Sequence, residues 1–180
     1  MPVVVLTAGH GAGDPGAVNG DVREADVATE MRDIAAHILR QDYGLTVKTD
    51  GVRGENLPLA DALKLLDGKV FAVEIHCNAS ADKSAGGIEA LADIRHKARC
   101  QRLCAAVSAV TGWKVRGRDG GWKPDSAGQH RRLAYARAGG IVLEAFFISN
   151  DAELALYRER KWPICRALAA AIAKEAGYVG

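Results

Sequence analysis

Two kinds of hydrophobic pattern alternate along the 180 residues. The first is the short unbroken apolar run: Val3-Val4-Val5-Leu6, Val70 to Cys77 (VFAVEIHC) and Ile141 to Ile148 (IVLEAFFI). Runs of this length bounded by turn residues suit strands buried on both faces. Leu45 to Thr49 and Gly86 to Ala92 read as further strands. The second kind is periodic. Val27, Met31, Ile34 and Ile38 step by four, three and four, the stripe of a helix with one buried face, ending near Tyr43-Gly44. Leu59, Leu63 and Leu66 predict a second helix closed by Gly68, and Ile94 to Thr111 a third ending at Gly112. Asn150 with Glu153 forms a capping box for the next helix, and Pro163 opens a last one whose Ile164, Leu168 and Ile172 recur every four residues. Strands alternating with helices throughout predict one α/β three-layer domain over residues 1–180, with a largely parallel sheet.

Composition narrows the class without changing it. With 48% apolar and 26% charged residues the chain has the balance of an ordinary globular domain. A formal charge of +2 favours approach to an anionic polymer but is too weak to argue for nucleic acid. No run approaches the roughly 20 apolar residues of a membrane span, so membrane insertion is not expected. The N-terminal MPVVVLTAGHG lacks a basic region and a cleavage site, and synthesis in the cytoplasm without a signal peptide is the expectation. Cys77, Cys100, Cys104 and Cys165 are too sparse for a disulfide framework. His96, Cys100 and Cys104 have helical metal-ligand spacing, but Cys100 and Cys104 share a helix face with Leu103 and Val107, where burial as small hydrophobes is the simpler reading.

Candidate chemistry gathers where the apolar runs stop. The first run ends on Ala8-Gly9-His10, a glycine-rich loop follows, and Glu24 opens the next helix. Glycines let such a loop turn tightly and approach whatever is bound, and open α/β sheets place their sites at strand ends. The second run ends on His76. His10, Glu24 and His76 together make a set of two imidazoles and one carboxylate. Three protein ligands leave a place for water, the pattern of catalytic rather than structural zinc. The alternative is a polar loop histidine and an acid placed for the helix dipole. Glu144 lies inside the third run, between Leu143 and Ala145. An unpaired carboxylate there is costly or has its pKa raised, which suits proton transfer near neutral pH. A buried salt bridge to Arg116 or Arg137 is the alternative.

Three motifs carry a resemblance. LTAGHGAGDPGAVNGDVRE is similar to the opening motif of the zinc-dependent N-acetylmuramoyl-L-alanine amidases of the amidase-3 family. EIHCNAS resembles the family's strand ending in a histidine, and GGIVLEAFFISN its glutamate strand; Gly87-Ile88-Glu89 and Arg116-Gly117 match two weaker signatures between them. The resemblance, which spans residues 3 to about 156, implies a twisted sheet of about six strands flanked by helices. It implies a hydrolase cutting the amide between the lactyl group of N-acetylmuramic acid and L-alanine in peptidoglycan. His10, Glu24 and His76 fall on the family's zinc ligands and Glu144 on its catalytic glutamate. Asn78, Arg116 and Trp122 are candidate substrate contacts.

Departures from the family pattern mark where this chain is its own. Glu74 stands where a small residue is usual, on the strand face of His76, as a partner of that ligand or one end of a salt bridge. Gly139-Gly140 replaces Pro-Ala before the glutamate strand. The stretch 113–132, with Trp113, Trp122 and six Lys or Arg, lacks periodicity and reads as a functional loop; its tryptophans offer faces to sugar rings, or one of them roofs the core. Cys77 alternates away from His76 and is discounted as a nucleophile. His130 reads as a solvated loop residue, His37 and His96 as surface residues of helices. Two other functions fit: a zinc carboxypeptidase on stem peptides, anchored by Arg116 or Arg118, and a peptidoglycan-binding module without turnover. A compact phage endolysin, monomeric and reaching the wall after release from the cytoplasm, is the expected setting; a bacterial autolysin freed by lysis is the alternative.

Overall fold

A computed structural model describes residues 3–67, 70–126 and 133–179. The expectations placed on Gly68, His130, Arg131 and Arg132 lie outside these residues. Five helices, α1 (Glu24–Gln41), α2 (Leu59–Lys64), α3 (Lys97–Thr111), α4 (Ala134–Arg137) and α5 (Asp151–Glu175), and eight strands are described: β1 (Val3–Ala8), β2 (Val18–Asn19), β3 (Val22–Arg23), β4 (Thr46–Thr49), β5 (Phe71–Asn78), β6 (Glu89–Leu91), β7 (Trp122–Lys123) and β8 (Ile141–Phe147). Six strands form one sheet in the order β4-β1-β5-β8-β6-β7, and β2 pairs with β3 in a small separate ribbon. All neighbours in the large sheet are parallel except β6 and β8. The sheet is therefore mostly parallel and six-stranded, as the sequence and the resemblance led us to expect.

The two faces of the sheet are covered unequally. On one, Val4, Leu6, Val73, Ile75 and Leu143 pack against α1, α3 and α5 in the larger core, which also takes Cys77, Cys100, Cys104 and Cys165. On the other, Val5, Ala72, Leu91 and Val142 form a smaller cluster with Ala62 of α2 and Tyr135 and Ala136 of α4, edged by partly buried residues such as Leu66 and Leu133. Strand alternation then sends Thr7, Glu74, His76 and Glu144 to this thinner side. A bulge in β8 sharpens the split. Glu144 faces His76 and Phe147 faces Asn78, so two residues of β8 span one of β5. Those two, Ala145 and Phe146, both join the larger core.

Several boundaries differ from the sequence expectation. The third helix begins with a separate 3₁₀ turn, Ile94–His96, before α3. The span of α5 holds two helical segments joined across a kink at Arg160, φ −120° and ψ 23°, so Pro163 stands in the first turn of the second, close to the helix start the sequence placed there. Proline's missing N–H and its clash with the carbonyl four residues earlier explain a bend just upstream. The capping box is half formed. Asn150 Oδ1 accepts from the Ala152 and Glu153 amides, but the Glu153 carboxylate accepts from the amides of Gly87 and Phe147 instead of reaching back. Trp113 is buried and stacks on Phe146 at 5.1 Å, so it belongs to the core.

Candidate metal centre

His10 is positioned by backbone held from below. β1 continues one step past its end, the Gly9 amide donating to the Ile75 carbonyl at 2.8 Å. Asn56 Nδ2 then donates to the carbonyls of Ala8, Gly9 and His10, and the Asp50 carboxylate accepts from the Ala8 amide. Asp50 is paired at 2.8 Å with Arg32, and both side chains are fully buried. This network fixes His10 in the left-handed region at φ 65°, an uncommon conformation for a side-chain-bearing residue. Sequence reasoning missed it. Its signal was Arg32 itself, a charge in the otherwise small and apolar series Ala28, Ala35, Leu39 of α1.

Glu24 is the first residue of α1 and turns its carboxylate back across the loop. Oε2 accepts from the Ala17 amide at 3.0 Å and Oε1 from the Cys77 amide at 2.9 Å. The same oxygens lie 3.1 Å from His10 Nε2 and 3.1 Å from His76 Nδ1. Two glycines make this approach possible. A Cβ on Gly9 would sit 2.1 Å from His76 Cε1, and one on Gly16, at φ 65°, would meet Glu24 Oε2 at 2.7 Å.

The donor atoms of His10, Glu24 and His76 lie within 4.8 Å of one another. The far nitrogen of each imidazole is held by a second carboxylate: His10 Nδ1 by Asp14 at 2.9 Å, His76 Nε2 by Glu74 at 3.2 Å. Such outer carboxylates fix the tautomer and raise the basicity of ligating histidines. Glu74 thus takes the first of the two roles its position suggested. Two nitrogens and one oxygen, oriented from behind, fit zinc with coordination positions to spare. Electrostatics points the same way. Burial works against charge on Glu24, yet hydrogen bonds from both imidazoles hold its carboxyl far below the usual range. Glu24 in turn raises His10, and with Glu74 raises His76 against the opposing effect of burial.

Glu144 completes the row. It lies directly opposite His76 on one side and Glu89 on the other, is buried, and its Oε2 has no hydrogen-bond partner among the described residues. Burial, reinforced by Glu24 and Glu89 and opposed by the histidines, pushes its pKa up to about 7. Neither expected arginine pairs with it; Arg116 goes to Glu89 at 2.8 Å and stacks 4.5 Å over Phe147. Asn78 also reaches Glu89, through Nδ2 at 2.9 Å, so Asn78 and Arg116 meet beside Glu144. Trp122 is not brought to the site. Its indole donates to the Ala92 carbonyl, Lys97 covers its ring, and it packs on the larger core. Its neighbour Lys123 faces the other way and meets Glu89 at 2.7 Å. His96, Cys100 and Cys104 form no metal cluster among the described residues; burial pushes the Cys100 thiol up to about 12.

A model of the amidase-3 family, described as N-acetylmuramoyl-L-alanine amidase, matches residues 4–174. The chain belongs to the amidase-3 family. It is 61% identical to a Neisseria meningitidis protein assigned as an N-acetylmuramoyl-L-alanine amidase, over 99% of this chain and 97% of that one, with a TM-score of 0.91. The catalytic domain of CwlV, an N-acetylmuramoyl-L-alanine amidase from Bacillus (Paenibacillus) polymyxa var. colistinus, is 25% identical over 99% of this chain and 100% of that one, with a TM-score of 0.83. The catalytic domain of the CD27L endolysin targeting Clostridia difficile shares the fold at 18% identity and a TM-score of 0.70, over 98% and 97% of the two chains. No curated protein sequence matches. Membership makes the protein a cell-wall hydrolase acting on peptidoglycan amides. No described helix is long and apolar enough to cross a membrane.

Proposed function

We propose that the protein cuts the lactyl–L-alanine amide of peptidoglycan as a zinc-dependent enzyme with Glu144 as general base. The observation that carries this is the unpartnered buried carboxylate of Glu144, in register with His76. His10, Glu24 and His76 would hold the zinc, which supplies Lewis-acid polarisation and a water of lowered pKa. The chain's own residues do the rest. Asp14 and Glu74 keep the imidazoles turned inward. Glu144, with a pKa near 7, takes the proton of the attacking water on its free oxygen and returns it to the departing L-alanine nitrogen. Reaching the wall from the cytoplasm, as a phage lysin does, belongs to the same proposal. Digestion of purified peptidoglycan tests the chemistry. New L-alanine amino groups are expected; released terminal residues would mean a carboxypeptidase, and no product a binding module.

A further inference from the structure

Across the sheet the charged groups lining the site change at Glu144, from carboxylates on one side to cations on the other. On the β1 and β5 side, a cavity of about 520 Å³ opens beside His10 and His76. Pro58, Leu59 and Tyr135 give it apolar walls, and Glu74 and Asp14 are the only charged side chains lining it among the described residues besides the two histidines. On the β6 and β7 side, Arg116 Nε and Lys123 Nζ both lean on one oxygen of Glu89, at 2.8 and 2.7 Å. Glu89 is buried, while the two cations keep about a third of their side-chain surface exposed. Both cationic groups stay partly open to solvent next to the general base, with Glu153 as well as Glu89 acting on Arg116.

Arg116 is also fixed in place. Nε is held by Glu89, Nη1 by the Gly86 carbonyl at 2.8 Å, and the plane rests on Phe147. Its Nη2 has no hydrogen-bond partner among the described residues. A guanidinium immobilised in this way loses little freedom on binding and presents a donor suited to a carboxylate.

We propose that Arg116 and Lys123 form a carboxylate anchor that fixes the sense in which substrate enters, with the peptide on their flank and the acyl side over the cavity. This rests on the amidase reading and deepens it. If Glu144 returns the proton to the departing nitrogen, that nitrogen must lie within hydrogen-bond reach of Glu144. Glu144 sits between His76 and Glu89 in one row of the sheet, so the peptide leaves toward β6. The charged ends of Arg116 and Lys123 both reach Glu89 on β6, the strand beside that of Glu144, about one strand spacing of 4.8 Å away. An extended peptide gains about 3.5 Å per residue, which brings a free carboxylate on the residue after L-alanine to the anchor. Reversed entry would set that carboxylate against Asp14 and Glu74.

Two N-acetylmuramoyl dipeptides test this, one with a free carboxylate on the residue after L-alanine and one with a carboxamide there. The zinc-loaded protein should cleave the carboxylate form with a KM about tenfold lower, the scale of one charge-assisted hydrogen bond. In Lys123→Gln and Arg116→Gln the ratio between substrates should fall toward one through KM on the carboxylate form; Arg116→Lys should restore part of it. Zinc content and thermal midpoint serve as controls on folding. A wild-type ratio near one, or variants that weaken both substrates alike, overturns the anchor. If neither substrate is cleaved, the amidase reading fails by itself. The anchor is then decided by titrating the free L-alanyl dipeptides: binding that needs both the carboxylate and Lys123 supports it, and binding indifferent to either overturns it.

Discussion

The two faces of the sheet are built from the same three strands and obey opposite rules. In β1, β5 and β8 every residue turned toward α1, α3 and α5 is apolar, and that side takes all four cysteines as inert small hydrophobes. One residue further along each strand, the other side takes buried Thr7, Glu74 and Glu144 and half-buried His76, with carboxylates facing imidazoles and one oxygen left without a partner. Buried polar groups without partners cost free energy, so the thin face is held at the expense of the thick one. The difference teaches where each face can be damaged. Lesions on the thick face should appear as lost stability, and lesions on the thin face as lost chemistry.

The largest effect expected is on the thin face. Glu144→Gln preserves shape and removes the proton acceptor, so turnover on peptidoglycan should fall about 10²–10⁴-fold. The thermal midpoint and zinc content should hold, because no ion pair is broken and an uncomfortable buried acid becomes neutral. Near-normal turnover would move the base elsewhere, and unfolding would make Glu144 a structural group. Leu168→Ala is the matching lesion on the thick face. Leu168 is fully buried among α1, α3 and α5, and truncation should cost about 2–5 kcal/mol by denaturant unfolding. Its kcat at low temperature should stay close to wild type. A tenfold drop in kcat with unchanged stability would show that the faces are not separable in this way.

How much of this separation the sequence carried depends on the range of the interaction. The three apolar runs became β1, β5 and β8 within one or two residues, since a strand buried on both faces needs no partner to be recognised. Glu24 opens α1 as read, and Glu144 stood out because a charge inside such a run is costly to bury unless chemistry uses it. What escaped notice was set by tertiary contact. Asp50 and Asn56 lie 18 and 24 residues from Arg32, and the three matter only once folded around the His10 backbone. Trp122 looked like a platform for sugars, but β7 is two residues long, too short for alternation to tell which of Trp122 and Lys123 faces the site. Pro163 was legible on local grounds: the kink at Arg160 places it in the first turn of the second helical segment of α5, where its missing N–H costs least.

The smallest effect separates the metal-free and zinc-bound proteins by the sign of a slope. In the metal-free protein Glu24 raises both His10 and His76 above the ordinary histidine value of 6.5. A raised folded-state pKa means that folding favours the protonated form. The resulting stabilisation is complete below about pH 6.5 and is lost as pH climbs through the raised values. Glu24 is depressed, so its own contribution is present above the ordinary carboxylate value of 4.5 and does not change in this window. Stability of the chelator-treated protein should therefore decline from about pH 6 to 8, each histidine contributing at most the ~1.4 kcal/mol per unit of one full proton and Glu144, raised to about 7, adding to the decline below that value. Zinc at the proposed site should reverse the slope. It binds neutral imidazoles, so protons compete with it, its affinity rises with pH, and its contribution to stability rises too. Thermal midpoints measured over that range with chelator and with excess zinc should diverge as pH increases. Parallel curves would mean that the metal does not displace the protons of His10 and His76, and the three residues would then be no zinc site.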